Sequence, residues 1–221
     1  MKEESISSED LEKLAIFPLP DVVLFPHTVL PLHIFEPRYR EMMVWLLERN
    51  APLGVVLLKT GHEVDTSGRP GVYPVLGVGK LVHHQVLPDG RYDILLLGVA
   101  RVHIEEEWLD PSLPFRTARC RQLPPGPENE VMEVMARMSI LRGMLPGLGE
   151  NHAQVAEIVG EVLTRSASPT AAGNLLATLT LRPSTLRQKL MEEDNLAQTL
   201  DEVIDALGDL MPENPDPEGL N

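Results

Sequence analysis

IFPLPDVVLFPHTVLPLHIFEPRYREMMVW, residues 16 to 45, decides the fold: a proline-punctuated apolar run leads without a linker into a helix. Proline lacks an N–H and fixes φ, so Pro18, Pro20, Pro26 and Pro31 do not suit central ladder positions. The IF, VVLF and VLPL segments between them read as short edge strands and crossings, a chain that enters a sheet, leaves it and enters again. Glu36 and Pro37 stand where a helix should start, with proline at the first helical position. Tyr39, Met42, Met43, Leu46 and Leu47 then recur at the spacing of one helical face, which predicts a helix over residues 37 to 49.

Outward from this stretch, residues 1 to 13 lack apolar periodicity and are expected to form a flexible leader. LGVVLLK (53 to 59) is a continuous apolar run of strand length and reads as a buried central strand. TGHEVDTSGRPG (60 to 71) has loop composition and is as good a binding loop as a plain surface loop. Pro88-Asp89-Gly90 makes the turn of a hairpin, because proline presets φ and glycine accepts a positive one. In the return strand RYDILLLGVARVHIEEEW, Gly98 suggests a bulge where one long strand turns a corner. FRTARCRQL (115 to 123) adds a last strand.

At PPGPEN (124 to 129) the period changes from 2 to 3.6. Val131, Val134, Met135, Met138, Leu141 and Leu145 are expected to form one buried helix face, and Val155, Ile158, Val159, Val162 and Leu163 the next. Ser168 and Pro169 suit the start of a third helix, Thr185 with Gln188 has capping-box spacing for a fourth, and Leu196 to Leu207 form the last. The segment 212 to 221 has no apolar face and is expected to be disordered. The domains expected are thus 14 to 123, rich in β-structure, and 124 to 211, helical.

Two blocks, FPLPDVVLFPHTVLPLHIFEPRY and LPDGRYDILLLGVARVHI, resemble the Lon substrate-binding domain family, the N-terminal domain of the ATP-dependent Lon proteases, which also occurs as a stand-alone protein. NLLATLTLRPSTLRQKLMEEDNLAQTLDEVIDAL (174 to 207) resembles the helical part of that family, so the likeness runs over roughly residues 14 to 210. With the residue patterns it implies an α+β protein: a six-stranded barrel-like (PUA-like) β domain carrying one helix, then a bundle of about five helices. It further implies that ATPase and serine-lysine protease chemistry belong to other domains.

The residues agree with that absence of catalysis. Gly79-Lys80 lacks the first glycine of a phosphate-binding loop, Thr66 stands where a zincin would need its second histidine, and Val82 ends the dinucleotide pattern begun by Gly77 and Gly79. His83 and His84 point to opposite faces of a strand, so no metal and no cofactor is expected. Cys120 is the single cysteine and reads as an inert structural thiol, which with the absence of an export signal or an apolar span points to the cytoplasm. The net charge is −14, with 17 acidic and 13 basic residues up to Leu123 and 16 and 6 beyond it. Such a surface disfavours nucleic acid and anionic membrane as partners.

The functional candidates therefore lie in the opening stretch. A sheet edge beside an apolar patch accepts an extended polypeptide by strand addition and side-chain pockets. Phe25, His27, Leu32, Phe35, Glu36, Arg38 and Tyr39 are the candidate peptide-binding residues, while Phe25, Leu32 and Phe35 fit equally well as closers of the core. The expected function is a non-catalytic module that binds unfolded or exposed hydrophobic segments as an adaptor or accessory to proteolysis, with a protease as a further partner. The alternative is a small-molecule sensor using a cleft between sheet and helices, with Tyr73, Tyr92 and Trp108 as candidate lining. The oligomeric state is open.

Overall fold

The structure, a computed structural model, describes residues 6–59, 61, 69–108, 110–127 and 129–212. Most of the loop at 60 to 71 and nearly all of the segment 212 to 221 lie outside the described residues. Among the described residues there are six strands and seven α-helices, an α+β fold. The chain divides into two compact units, Met1–Pro125 with Arg182–Asp194, and Gly126–Leu181 with Asn195–Asn221.

The first unit holds strands β1 (Leu14–Leu19), β2 (Val29–Ile34), β3 (Leu53–Leu57), β4 (Val75–Val86), β5 (Tyr92–Trp108) and β6 (Arg116–Gln122). Its first helices are α1 (Ser8–Glu12) and α2 (Pro37–Arg49). The sheet is mixed and ordered β2-β5-β4-β3-β1-β6, with β1 and β3 parallel and the other pairs antiparallel. Strand β5 serves twice: residues 92 to 103 pair with β4 and residues 102 to 108 with β6, so the pairings run in a circuit β5-β4-β3-β1-β6-β5. The register shift beside Gly98, where Val99 has no partner in β4, is the expected bulge in a strand that turns a corner.

Both faces of this sheet are covered, which explains the continuous apolar runs. In β1, Ala15 and Phe17 join one core with Tyr39, Met42, Met43 and Leu46 of α2; Leu14 and Ile16 join the other with Val56, Leu76, Val78 and Val102. Alternate residues feed opposite cores because strand side chains alternate. Helix α2 keeps the predicted bounds, begins with Pro37 at its first position and ends where Asn50 adopts φ 49°.

Between β1 and β2 the chain crosses over β4 and β5 on glycine. A Cβ at Gly77 would lie 1.8 Å from the Leu24 carbonyl oxygen, and one at Gly98 would lie 2.1 Å from that of Phe25. Only glycine permits that approach, so these positions fix where the VVLFP segment lies.

Two expectations about this unit change. Residues 6 to 13 are docked: Ile6 is buried with Leu14 and Cys120, Ser7 caps α1 by accepting from the Asp10 N–H at 3.0 Å, and Lys13 pairs with Asp110 at 2.7 Å. The other change is helix α6 (Ser184–Glu193), expected in the helical bundle but grouped with the sheet, so the β unit carries three helices. The Thr185–Gln188 capping box does not form; Pro183 stands at the N-cap, and Gln188 is buried and donates to the Val75 carbonyl at 2.9 Å. Arg101, 7% exposed, reaches from β5 to donate to the Met191 and Pro124 carbonyls, each at 2.8 Å, and pairs with Asp194 at 2.7 Å. The buried amide of α6 finds its acceptor on β4 and the buried guanidinium of β5 finds one on α6, and that fastens the helix to the sheet.

The second unit contains α3 (Val131–Met144), α4 (Ala153–Arg165), α5 (Pro169–Thr180) and α7 (Leu196–Gly208), with two short 3-10 turns between α3 and α4. Ser168 caps α5 as expected, accepting from the Ala171 N–H at 3.1 Å, and Asn195 caps α7. Arg137 of α3 makes a two-pronged pair with Asp201 of α7, at 2.8 and 3.0 Å. Val134, Met138 and Leu141 of α3 are buried as expected, whereas Val131 and Met135 are exposed. Helix α3 is apolar on most sides, so periodicity alone did not select its inner face.

Candidate functional site

The stretch that opens the chain builds an edge and, beside it, the wall of a pocket. Among the described residues strand β2 pairs with β5 alone. The Gly98 N–H donates to the Thr28 carbonyl at 2.8 Å, which sets the phase of this antiparallel ladder. Leu30, Leu32 and Ile34 then bond β5, and Val29, Pro31 and His33 turn their backbone groups outward. Pro31 falls on the outward side because it has no N–H to give β5. The free edge therefore offers N–H groups at Val29 and His33 with a gap between them, a strand-addition site blunted at its middle.

Phe35 follows the edge, 60% exposed, with its ring stacked on the His33 imidazole at 6.2 Å between centroids. His33 is held on both nitrogens: Nδ1 lies 2.6 Å from Asp93 and Nε2 lies 3.0 Å from the Arg91 guanidinium. Because arginine only donates, Nε2 accepts and Nδ1–H donates to the carboxylate. This clamp fixes the imidazole against which Phe35 rests.

At the start of α2, Arg38 Nε donates to Glu36 at 2.9 Å, and the guanidinium lies 4.5 Å over the Tyr39 ring. Tyr39 is buried edge-on against Phe17 at 4.4 Å, and burial raises its phenol above the ordinary tyrosine range. Arg38 and Tyr39 form one side of an open pocket of about 190 Å³. Pro18, Leu58, Pro114 and Phe115 make it apolar, and Arg69 and Arg116 line it as well. Arg116 is anchored there by Glu107 and by its bond to the Pro70 carbonyl at 3.0 Å. Trp45 backs Phe115 edge-on at 5.8 Å.

The seven candidate residues separate in space. Phe25 is buried in the glycine-supported crossing, Leu32 packs partly buried on the core, and exposed His27 sits at φ 67° with its N–H bonded to the Gly98 carbonyl. Phe35, Glu36, Arg38 and Tyr39 remain together, running from the edge to the pocket. Sequence reading missed Leu58, Pro114, Phe115 and Arg116, which come from just past the end of β3 and from the start of β6 and carry no local signal. Of the aromatics offered for a cleft, Tyr92 is in the core and Trp108 lies in β5 under the Arg119 guanidinium, at 5.8 Å. Cys120 is buried, and burial pushes its thiol up to about 12, as suits an inert residue. Among the described residues no three His, Cys, Asp or Glu side chains converge on a metal site, and no helix is long and apolar enough to cross a membrane.

Comparison with known proteins agrees with this architecture. The chain is 27% identical over 208 residues to the Lon protease of Trichlorobacter lovleyi, covering 91% of this chain and 25% of that protein. It is 27% identical over 192 residues to Lon protease 1 of Herpetosiphon aurantiacus, covering 86% and 23%. The chain thus spans about a quarter of the length of these curated relatives. Among solved structures, the Lon N-terminal domain protein from Xanthomonas campestris superposes with a TM-score of 0.60 at 21% identity, over 87% of this chain and 97% of that one. The N-terminal domain of a Mycobacterium avium complex Lon protease gives 0.66 at 14%, over 89% and 98%. The description "ATP-dependent protease La (LON) substrate-binding domain" matches residues 13–209, and the chain belongs to that family.

Proposed function

We propose that this chain is a non-catalytic protein-recognition module that binds unfolded or exposed apolar polypeptide segments and delivers them to a protease, as an adaptor or accessory to proteolysis in the cytoplasm. The circuit of strand pairings supports reading its β unit as a barrel that presents the β2–α2 connection. One observation carries the binding site: Phe35, a large aromatic residue 60% exposed, continues through Arg38 and Tyr39 into an apolar pocket, all within the family match. Exposed aromatic anchors next to a pocket are where binding energy concentrates. Because Pro31 interrupts the free edge, side-chain capture leads and backbone pairing contributes less. The acidic surface, at −14, disfavours nucleic acid and anionic membrane.

A labelled, permanently unfolded polypeptide titrated with the protein tests this by fluorescence anisotropy. Saturable binding, weakened about tenfold or more by Phe35→Ala with Arg38→Ala in a variant that melts normally, is the expected result. No binding at any accessible concentration removes the proposal. The pocket also supports a second reading, a small-ligand sensor. At about 190 Å³ it is smaller than the several hundred Å³ of typical drug-sized sites, so a ligand would be no larger than a single amino acid or short acid. A metabolite that raises the melting temperature, and loses that effect in Tyr39→Phe or Arg38→Ala, would favour it.

A further inference from the structure

The pocket beside α2 gathers positive charge in a strongly negative chain. Arg38, Arg69 and Arg116 all line it, and no described acidic side chain does, although the chain carries 33 acidic residues against 19 basic. Glu36 and Glu107, which pair with two of these arginines, are not among the lining residues. Glu107 accepts from Nε and Nη2 of Arg116 and the Pro70 carbonyl from Nη1, so that guanidinium is fixed in place. Glu36 pairs with Nε and Nη2 of Arg38 and leaves Nη1 without a protein acceptor among the described residues.

Tyr39 adds a donor of a different kind. It is 7% exposed and lines the same pocket, and its hydroxyl has no hydrogen-bond partner among the described residues. Burial, by raising the phenol above the ordinary tyrosine range, keeps the proton on it. A tyrosine buried this deeply normally has its hydroxyl bonded, so one left unbonded beside a cavity marks a place for an acceptor on a ligand. The size of the cavity limits that ligand. A cavity of about 150 Å³ holds one benzene ring, and this one, at about 190 Å³, takes a single side chain of leucine to phenylalanine size.

We propose that the pocket captures the C-terminal residue of a client polypeptide, its apolar side chain against Leu58 and Phe115 and its free α-carboxylate on the guanidinium groups and the Tyr39 hydroxyl. The inference rests on the client-binding function proposed for this chain and names the part of the client that this site reads. Guanidinium matches a carboxylate with paired N–H donors, and such charge-assisted bonds are the strong ones. An internal aspartate or glutamate supplies the carboxylate with too little apolar body for these walls, and an internal leucine supplies the body without the charge. The last residue of a chain carries both on one Cα. A small acylated amino acid does so too, but Phe35, 60% exposed just ahead of α2, offers support to residues upstream of a terminus that a small acid lacks.

Fluorescence anisotropy of the full chain with a short labelled apolar peptide ending in leucine, prepared as the free acid and as the amide, tests the proposal. The acid is expected to bind about tenfold or more tighter than the amide. That preference should disappear in Arg38→Gln with Arg69→Gln and shrink in Tyr39→Phe, which keeps the packed ring. Glu36→Gln removes the carboxylate that competes for Arg38 and caps no N–H of α2, so it should enlarge the preference. The ratio of two peptides on one protein is unmoved by a variant that merely folds less well, so a structural role for the arginines would leave it in place. Equal binding of acid and amide overturns the proposal and leaves the client-binding function standing, whereas no binding of either removes both. A preference that survives every substitution puts the terminus elsewhere and overturns it. N-acetylleucine binding as tightly as the peptide also overturns it, because a small acid then fills the pocket in place of a chain end.

Discussion

Replacing Arg101 with methionine will loosen α6 from the sheet, at a cost set by what the guanidinium touches. Its side chain is 7% exposed, with two carbonyl acceptors at 2.8 Å and the Asp194 carboxylate at 2.7 Å. Removing one partner of a buried pair costs about 3–5 kcal/mol, because the other loses its counter-charge where water is scarce. The Asp194 side chain is 23% exposed and regains some water, which moves the figure to the lower end, while the two carbonyls add about 1 kcal/mol each when orphaned. Methionine fills much of the volume, so the expected loss is about 5 kcal/mol, almost all of it polar. Arg101→Lys recovers only part, since one ammonium does not span three acceptors. Trp45 and Trp108 both lie in the β unit, so urea unfolding followed by tryptophan fluorescence reports that unit without the helical one. Amide exchange across residues 184 to 193 should accelerate in parallel. A loss below about 1 kcal/mol with α6 still protected would refute the reasoning and make the apolar contacts of Leu190 and Met191 the anchor.

Gly77→Ala drives a Cβ to within 1.8 Å of the Leu24 carbonyl oxygen and should cost at least the about 1–3 kcal/mol of overpacking, whereas Gly160→Ala in α4, 3.4 Å from Leu145, should be neutral or stabilise by up to about 1 kcal/mol. Denaturant midpoints compare the two. Asp110 has its carboxyl pulled far below the usual carboxylate range, chiefly by the Lys13 hydrogen bond and then by Ser112. Its contribution to stability is thus present above the ordinary aspartate pKa and is lost as pH falls through the depressed folded-state value. Carboxyl NMR should find Asp110 the last to protonate among its neighbours, and Lys13→Met should move its midpoint upward. With its thiol pushed up to about 12, Cys120 should resist thiol reagents at pH 8 and react only as the β unit unfolds, which a colorimetric thiol assay across urea concentrations would follow.

Much of the architecture is written locally. The bounds of α2 follow from Pro37 and the Tyr39–Met42–Met43–Leu46 face, the hairpin from Pro88-Asp89-Gly90, the buried β3 from an unbroken apolar run, and the cap of α5 from Ser168. Each is a property of neighbours along the chain, a fixed φ, a repeat of side chains or a hydroxyl within reach of a free N–H, and sequence displays such properties directly. What sequence could not assign is which partner each surface meets. Helix α6 has the look of its helical neighbours, yet Gln188 and Asp194 commit it to Val75 and Arg101, 113 and 93 residues away along the chain. Likewise the pocket joins Arg38 and Tyr39 of α2 to Phe115 and Arg116 at the start of β6, and Phe25 disappears into a crossing that exists because Gly77 and Gly98 lie beneath it. Periodicity says that a face is apolar; only the assembled fold, by covering one side of α3 and leaving the other in water, decides which apolar face is core and which stays exposed.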